Sequence, residues 1–129
     1  SKTVAPQEKT IDFKMNTAES LTDVIDLAAS KGQYVFLHFT ADWCVPCQIL
    51  EEEVFNQPQV YNLFNRNFVN YKVDVEQNNG PNLKLMFNTQ ELPTLMFIDH
   101  KGKVVLRKNG GISQSQLIQL ANNTLTMPL

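Results

Sequence analysis

Cysteine is scarce in this chain: two residues in 129, both in the segment Cys44-Val45-Pro46-Cys47. A scaffold stapled by disulfides carries more cysteines at wider spacing, because a short loop constrains the unfolded chain least. Stapling is therefore a poor explanation for the pair. Redox chemistry, metal binding or two inert core thiols remain. Positive charge is also limited. The net charge is −2 and no basic stripe runs along the sequence, which removes the usual case for nucleic acid or an anionic membrane as partner. Long apolar runs are missing. The best candidate, Tyr34 to Phe39, contains His38 and falls far short of the roughly 20 residues that span a bilayer. The opening residues 1–9 are polar and lack the apolar stretch of a signal peptide. They read as a flexible leader, on a cytosolic chain or on a mature or trimmed one. Neither a repeat nor a low-complexity tract interrupts the remainder, so residues 10–125 read as one domain and 126–129 as a C-terminal tail. At 43% hydrophobic and 19% charged residues, such a domain can bury a sizeable core.

The pattern of apolar residues alternates between two periods. Ile11, Phe13 and Met15 alternate with Asp12 and Lys14, as in a short strand over Thr10–Met15. Leu21, Val24, Ile25 and Ala28 recur at helical spacing, with Asn16 or Thr17 as cap and Lys31-Gly32 as stop. Tyr34 to Thr40 is nearly all apolar and aromatic, which is how a strand covered on both faces reads. A helix from about Cys44 carries Ile49, Leu50 and Val54 inward and leaves Glu51 to Glu53 solvated; Asn56-Gln57-Pro58 breaks it, and Val60 to Asn65 forms a further helical piece. Phe68 to Val75 is a strand with Val69, Tyr71, Val73 and Val75 on one face. Gly80-Pro81 opens a helix holding Leu83, Leu85, Met86 and Phe87. Two strands, Thr94–Asp99 and Lys103–Arg107, are joined by His100-Lys101-Gly102, and Ser113 caps a last helix. Strands alternating with helices and ending in a hairpin predict an α/β fold: a central mixed sheet with helices on both faces.

The cysteine pair falls where the buried strand feeds the next helix. There Cys44 lies at the helix N-terminus, whose free N–H groups and positive dipole end favour a thiolate. The thiolate is the form that attacks a disulfide. Cys47 follows one turn later on the same side, within reach of the Cys44 sulfur, and can resolve a mixed disulfide. Pro46 is tolerated because the first turn needs few N–H donors. Two other readings stand beside this one. The pair is half of a zinc site only if it recruits both His38 and His100, the remaining nitrogen candidates; or it is two unreactive core thiols.

From about Gln33 to Asn122 the chain resembles the thioredoxin superfamily, through Trp43-Cys44-Val45-Pro46-Cys47, Leu92-Pro93-Thr94 and Gly110. Within it, the sequence is similar to a subgroup that includes the C-terminal periplasmic domain of bacterial membrane thiol:disulfide interchange reductases. Ala41-Asp42-Trp43-Cys44-Val45, Glu51 to Phe55, Asn56 to Val60 and Lys72 to Val75 carry that likeness. The resemblance implies a thioredoxin fold and a monomeric dithiol exchange enzyme with no bound cofactor beyond its redox-active disulfide. It implies protein disulfides as substrates and a thiol electron donor, with a membrane-embedded reductase as one candidate. An extracytoplasmic, periplasmic location follows from the same likeness. By the same analogy the Leu92–Pro93 bond is cis, and Leu92, Pro93 and Thr94 shape a substrate groove with Trp43, Val45 and Pro46. The proline before the second cysteine matches reducing members. A peptide-binding module of the same fold, or a redox sensor without turnover, is the alternative.

His38 departs from the family's pattern. Many thioredoxins place a buried acid six residues before the first cysteine; here that position is histidine. Strand alternation turns His38 to the side of Phe36 and Thr40. A neutral imidazole there accepts the Cys47 proton, directly or through water, or serves only as a hydrogen-bonded core residue. Lys72 aligns with a lysine that often pairs with the missing acid. It either faces His38, which disfavours the imidazolium, or points to solvent.

Overall fold

The computed structural model describes residues 9–129; apart from Lys9, the leader lies outside the described residues. Ten elements follow in order: β1 (Phe13–Met15), α1 (Leu21–Lys31), β2 (Tyr34–Thr40), α2 (Val45–Glu53), α3 (Pro58–Asn67), β3 (Phe68–Asp74), α4 (Gly80–Met86), β4 (Thr94–Ile98), β5 (Val104–Asn109) and α5 (Gln114–Leu125). The five strands form one sheet in the order β1-β3-β2-β4-β5. The β1–β3 and β3–β2 pairs are parallel, and β2–β4 and β4–β5 antiparallel. This is the mixed α/β sheet of a thioredoxin fold.

Strand β2 is central and buried along its whole length, which explains why its sequence is nearly all apolar. Its alternate side chains feed two cores. Val35, Leu37 and Phe39 meet Val69, Tyr71 and Val73 of β3 beneath α1 and α4. Tyr34 and Phe36 face Leu50, Val60, Phe64 and Leu117 on the other side. The second core is largely aromatic: the Phe36 ring lies 4.7 Å from Phe64, 5.0 Å from Phe97 and 6.2 Å from Phe55, centroid to centroid, within the range of favourable ring pairs.

Several local expectations are corrected. Ser20, not Asn16 or Thr17, caps α1 by accepting from the Asp23 N–H at 3.1 Å. Asn16 is instead buried: its amide donates to the Asp74 and Gln77 carbonyls and accepts from the Asp74 N–H, so it fastens the end of β1 to the end of β3. Pro58 does not merely end a helix; it occupies the first turn of α3, where its missing N–H costs nothing. Ile49, read as inward-facing, faces solvent, and on α4 Leu85 and Met86 are 81% and 69% exposed. On α4 only Leu83 and the capping residue Phe87 turn to the core, because a helix of two turns presents one narrow face. Gly80 permits a close approach: a Cβ there would stand 2.0 Å from the Asp74 carbonyl oxygen. The Tyr34 hydroxyl lies 3.2 and 3.1 Å from the Met127 and Pro128 carbonyls, so the last residues are tied to β2.

Phe36 is fully buried among four aromatic rings. Truncating it as Phe36→Ala is expected to cost about 3–5 kcal/mol in denaturant unfolding, the usual range for a buried phenylalanine; a loss under 1 kcal/mol would contradict this packing.

Candidate active site

The end of β2 turns through Ala41, Asp42 and Trp43 into α2. Cys44 is the N-cap residue of α2, with extended backbone, and Pro46 sits in the first turn. Its sulfur accepts the Cys47 N–H at 3.2 Å, so one of the helix's orphan donors is aimed at Sγ. Cys44 and Cys47 are joined in a disulfide with their Cα atoms 5.3 Å apart. Their exposures differ in the direction that matters. Cys44 retains 3% and Cys47 none, so an incoming nucleophile meets the Cys44 sulfur first.

The rim around Cys44 is apolar and open. Trp43 is 64% exposed, and Val45 is likewise exposed. The indole Nε1–H of Trp43 donates to Glu76 Oε1 at 2.9 Å, which ties the ring to the segment after β3. Strand β4 begins at Thr94, opposite Phe39 of β2, and the preceding Leu92–Pro93 peptide bond is cis. Leu92 packs, half-buried, against the cluster that contains both cysteines. The Pro93 carbonyl accepts from the Gly110 N–H at 2.7 Å. Thr94 is buried, its hydroxyl donating to the Glu91 carbonyl at 2.6 Å. The structure thus brings Trp43, Val45, Pro46, Leu92 and Pro93 to one end of the sheet with the cysteines, and turns the Thr94 side chain away from the surface.

His38 lies one layer lower, on the opposite side of β2 from Phe39. It is fully buried, with ring centroids 5.7 Å from Phe13 and 5.0 Å from Phe55. Its register partner on β3 is Lys72, so the two basic residues do share a face. The reading of Glu51 as a solvated helix residue is wrong. Glu51 reaches down from α2, its Oε1 standing 2.5 Å from Lys72 Nζ and 3.3 Å from His38 Nε2. Two bases at adjacent positions under one helix draw a carboxylate inward that the polar run Glu51–Glu53 did not single out. The spacing held the signal: Glu51 is four residues after Cys47, on the same helical face. Glu76 was missed for want of any spacing signal at all. His100, the other nitrogen of the zinc reading, has its Nε2 2.8 Å from the Gln33 carbonyl.

Electrostatics follow from this layout. Burial pushes His38 below its ordinary pKa; the Glu51 hydrogen bond and charge pull it back in part, and the Lys72 charge adds to the lowering. Burial acts to raise Glu51, but hydrogen bonds from His38 and Lys72, together with their charges, hold it at about 2 against an ordinary 4.5. A cleft lined by Thr40, Asp42, Gln48, Glu51, Lys72 and Asp74 keeps this carboxylate in touch with solvent. A carboxylate whose folded pKa is depressed stabilises the fold above its unfolded value and loses that contribution as pH falls through the folded value. Compared with Glu51→Gln, the wild-type chain is therefore expected to melt at higher temperature at pH 7. The gap narrows below about pH 4.5 and closes near pH 2. Thermal unfolding across that range checks this, and a gap independent of pH would contradict the ion pairing.

Comparison with known proteins agrees with this geometry. A family model described as "Thioredoxin-like domain" matches residues 21–125. The thiol:disulfide interchange protein DsbD of Haemophilus ducreyi is 33% identical over 121 residues, which are 90% of this chain and 21% of that protein. DsbD of Actinobacillus pleuropneumoniae is 35% identical over 100 residues, 74% of this chain and 17% of that one. The chain thus spans about a fifth of the length of the curated relatives it matches. Among solved structures, a Bacteroides thetaiotaomicron protein named as a candidate disulphide-isomerase superposes with a TM-score of 0.79 at 29% identity, over 96% of this chain and 100% of that one. The oxidised C-terminal domain of Neisseria meningitidis DsbD gives 0.67 at 21% identity, over 80% and 91%, a likeness of fold. With a redox pair at the mouth of α2 and a family match across most of its length, the chain belongs to the thioredoxin-like domain family.

Proposed function

We propose that the chain is a thiol–disulfide oxidoreductase acting on protein disulfides, and that it runs as a reductant. The observation that carries this reading is the Cys44–Cys47 disulfide at the N-cap of α2, with residual exposure on Cys44 alone. In the reduced protein the Cys44 thiolate, favoured by the Cys47 N–H and the helix end, attacks a substrate disulfide. One substrate sulfur leaves as thiolate and the other is held on Cys44. The Cys47 thiolate then attacks Cys44 Sγ, the bond to the substrate breaks, and the second sulfur leaves with its electron pair. The substrate disulfide is reduced and the pair is oxidised; an external thiol donor returns it to the dithiol. His38, beneath the helix that carries Cys47, is the proposed acceptor of the Cys47 proton.

The groove formed by Trp43, Val45, Pro46, Leu92 and Pro93, with Thr94 supporting it from below, suits an extended polypeptide. Its apolar rim contacts the substrate, and the backbone beside Pro93 offers hydrogen bonds to it. No resident cofactor is needed, since the electrons travel through sulfur. The relatives named thiol:disulfide interchange protein support an extracytoplasmic, periplasmic setting and a thiol-carrying donor, a membrane-embedded reductase being the candidate. The chain acts as a monomer in this reading. Among the described residues no helix is long and apolar enough to cross a membrane.

Two measurements test the proposal. Wild type is expected to turn over a protein disulfide in the presence of a thiol donor and Cys44→Ser to lose that turnover. Equal rates for both would favour a binding module instead. The equilibrium potential of the couple is expected near the thioredoxin value of about −270 mV; a value near −120 mV, that of a strong periplasmic oxidant, would reverse the direction.

A further inference from the structure

The groove beside the cysteines carries acid on both sides. On the α2 side Asp42 is exposed directly before Trp43, and Glu76 holds the Trp43 indole. On the other side Glu91 is exposed, one residue before Leu92 and two before Pro93. Its backbone is tied down, since the Glu91 carbonyl accepts from the buried Thr94 hydroxyl at 2.6 Å. Its carboxylate lies against Gly110, where a Cβ would stand 3.4 Å from Oε1 and 4.0 Å from Oε2. Gly110 has φ 83°, a conformation that favours glycine, and its N–H donates to the Pro93 carbonyl at 2.7 Å. Glu91 thus sets a carboxylate against the same backbone that holds Pro93, at the edge of the groove.

No ion pair takes up that charge. Among the described residues no Lys, Arg or His nitrogen lies within 4.0 Å of the Glu91 carboxylate. Arg107 lines the same cleft, together with Asn88, Gln90 and Asn109. Its guanidinium is engaged elsewhere, donating to the carbonyl of Phe87 at the end of α4. Lys108, next along β5, turns its Nζ to the Asn109 carbonyl at 2.9 Å. Of the two charged groups in the cleft, Glu91 is the one that lies against Gly110. Carboxylates on both sides of an apolar groove add their potentials within it, which favours a cationic visitor and opposes an anionic one.

We infer that Glu91 is a specificity-determining residue: it meets a lysine or arginine side chain close to the attacked substrate cysteine, so that the domain prefers protein disulfides set in basic segments. This rests on the exchange reading above, in which the substrate strand lies beside Leu92 and Pro93. Two residues of extended chain cover about 7 Å. A lysine or arginine at that remove lays its methylenes on the apolar rim and carries its charged head to the carboxylate. Asp42 and Glu76 act at longer range, and the contact with Glu91 carries the discrimination. An exposed ion pair adds little to stability, but attraction of one substrate and repulsion of its competitor multiply in the ratio of their rates.

Three peptides, each with one intramolecular disulfide whose cysteines are flanked by lysine, glutamine or glutamate, test this without an external donor. Each is mixed with the pre-reduced chain, and the second-order rate of protein thiol loss is recorded. At low salt, wild type is expected to react about tenfold faster with the lysine peptide than with the glutamate peptide, the glutamine peptide falling between. In 1 M salt, where screening acts over about 3 Å, the ratio should fall toward about twofold. Glu91→Gln is expected to bring the low-salt ratio to about threefold or less, and Glu91→Lys to invert it. Asp42→Asn keeps it above about fivefold. Each ratio is taken within one variant, so a general loss of activity or stability cancels. A wild-type ratio near one, or a wild-type preference that survives Glu91→Lys, overturns the inference. So does a preference lost in Asp42→Asn and kept in Glu91→Gln. If wild type reduces none of the peptides, the exchange reading itself fails. The role of Glu91 is then read from amide NMR of the oxidised chain, titrated with the same peptides carrying serine for cysteine. Movement of the Gly110 signal at lower concentrations of the lysine peptide than of the glutamate peptide supports it, and equal titration refutes it.

Discussion

A single backbone junction, the turn from the buried strand β2 into α2, sets where both sulfurs stand. Because β2 is buried on both faces, it ends at a depth the chain cannot shift without exposing aromatic side chains. The helix that follows starts just beyond it, with Cys44 as its N-cap. Free N–H groups at that start have no carbonyl partner within the helix, and one of them points at Sγ of Cys44. The helical repeat then returns Cys47 to the same side, 5.3 Å away between Cα atoms. Reactivity at one cysteine and burial at the other are consequences of that starting point.

The second organising feature is a charge problem solved inside the fold. Strand pairing sets His38 beside Lys72 on a face covered by α2. Two bases without an acid would leave a buried positive charge uncompensated, which is expensive in a low-dielectric interior. Glu51 supplies the acid from the helix instead of from the strand. The carboxylate comes from the element that carries the cysteines, so any shift of α2 moves the sulfurs and the acid together. Redox site and ion pair are thus mechanically one unit.

Much of this was legible in the residues. The alternation of strands and helices, the mixed sheet and the burial of β2 follow from periods of two and 3.6 that are strong in this chain, and the Val69, Tyr71, Val73, Val75 face was read correctly. The motif Trp43 to Cys47 fell where a strand meets a helix, so its placement was readable too. What escaped depended on contacts between distant segments. Asn16 looked like a helix cap because asparagine caps helices; its actual partners are carbonyls and an N–H on the far end of β3. Glu51 sat in a run of three acids, and only its spacing of four from Cys47 marks it out from the two beside it. Leu85 and Met86 are apolar yet exposed, since the two-turn α4 has room to bury only one face. Periodicity sees a side chain's neighbours along the chain; burial is decided by neighbours across it.

The two sulfurs are unequal: Cys44 keeps a residual exposure and Cys47 is shielded. The most direct measurement is limited alkylation of the fully reduced wild-type chain with substoichiometric iodoacetamide at neutral pH, with the modified residue located by peptide mass spectrometry. Label confined to Cys44 is the predicted result. Label divided evenly between the two, or found first on Cys47, would contradict the account.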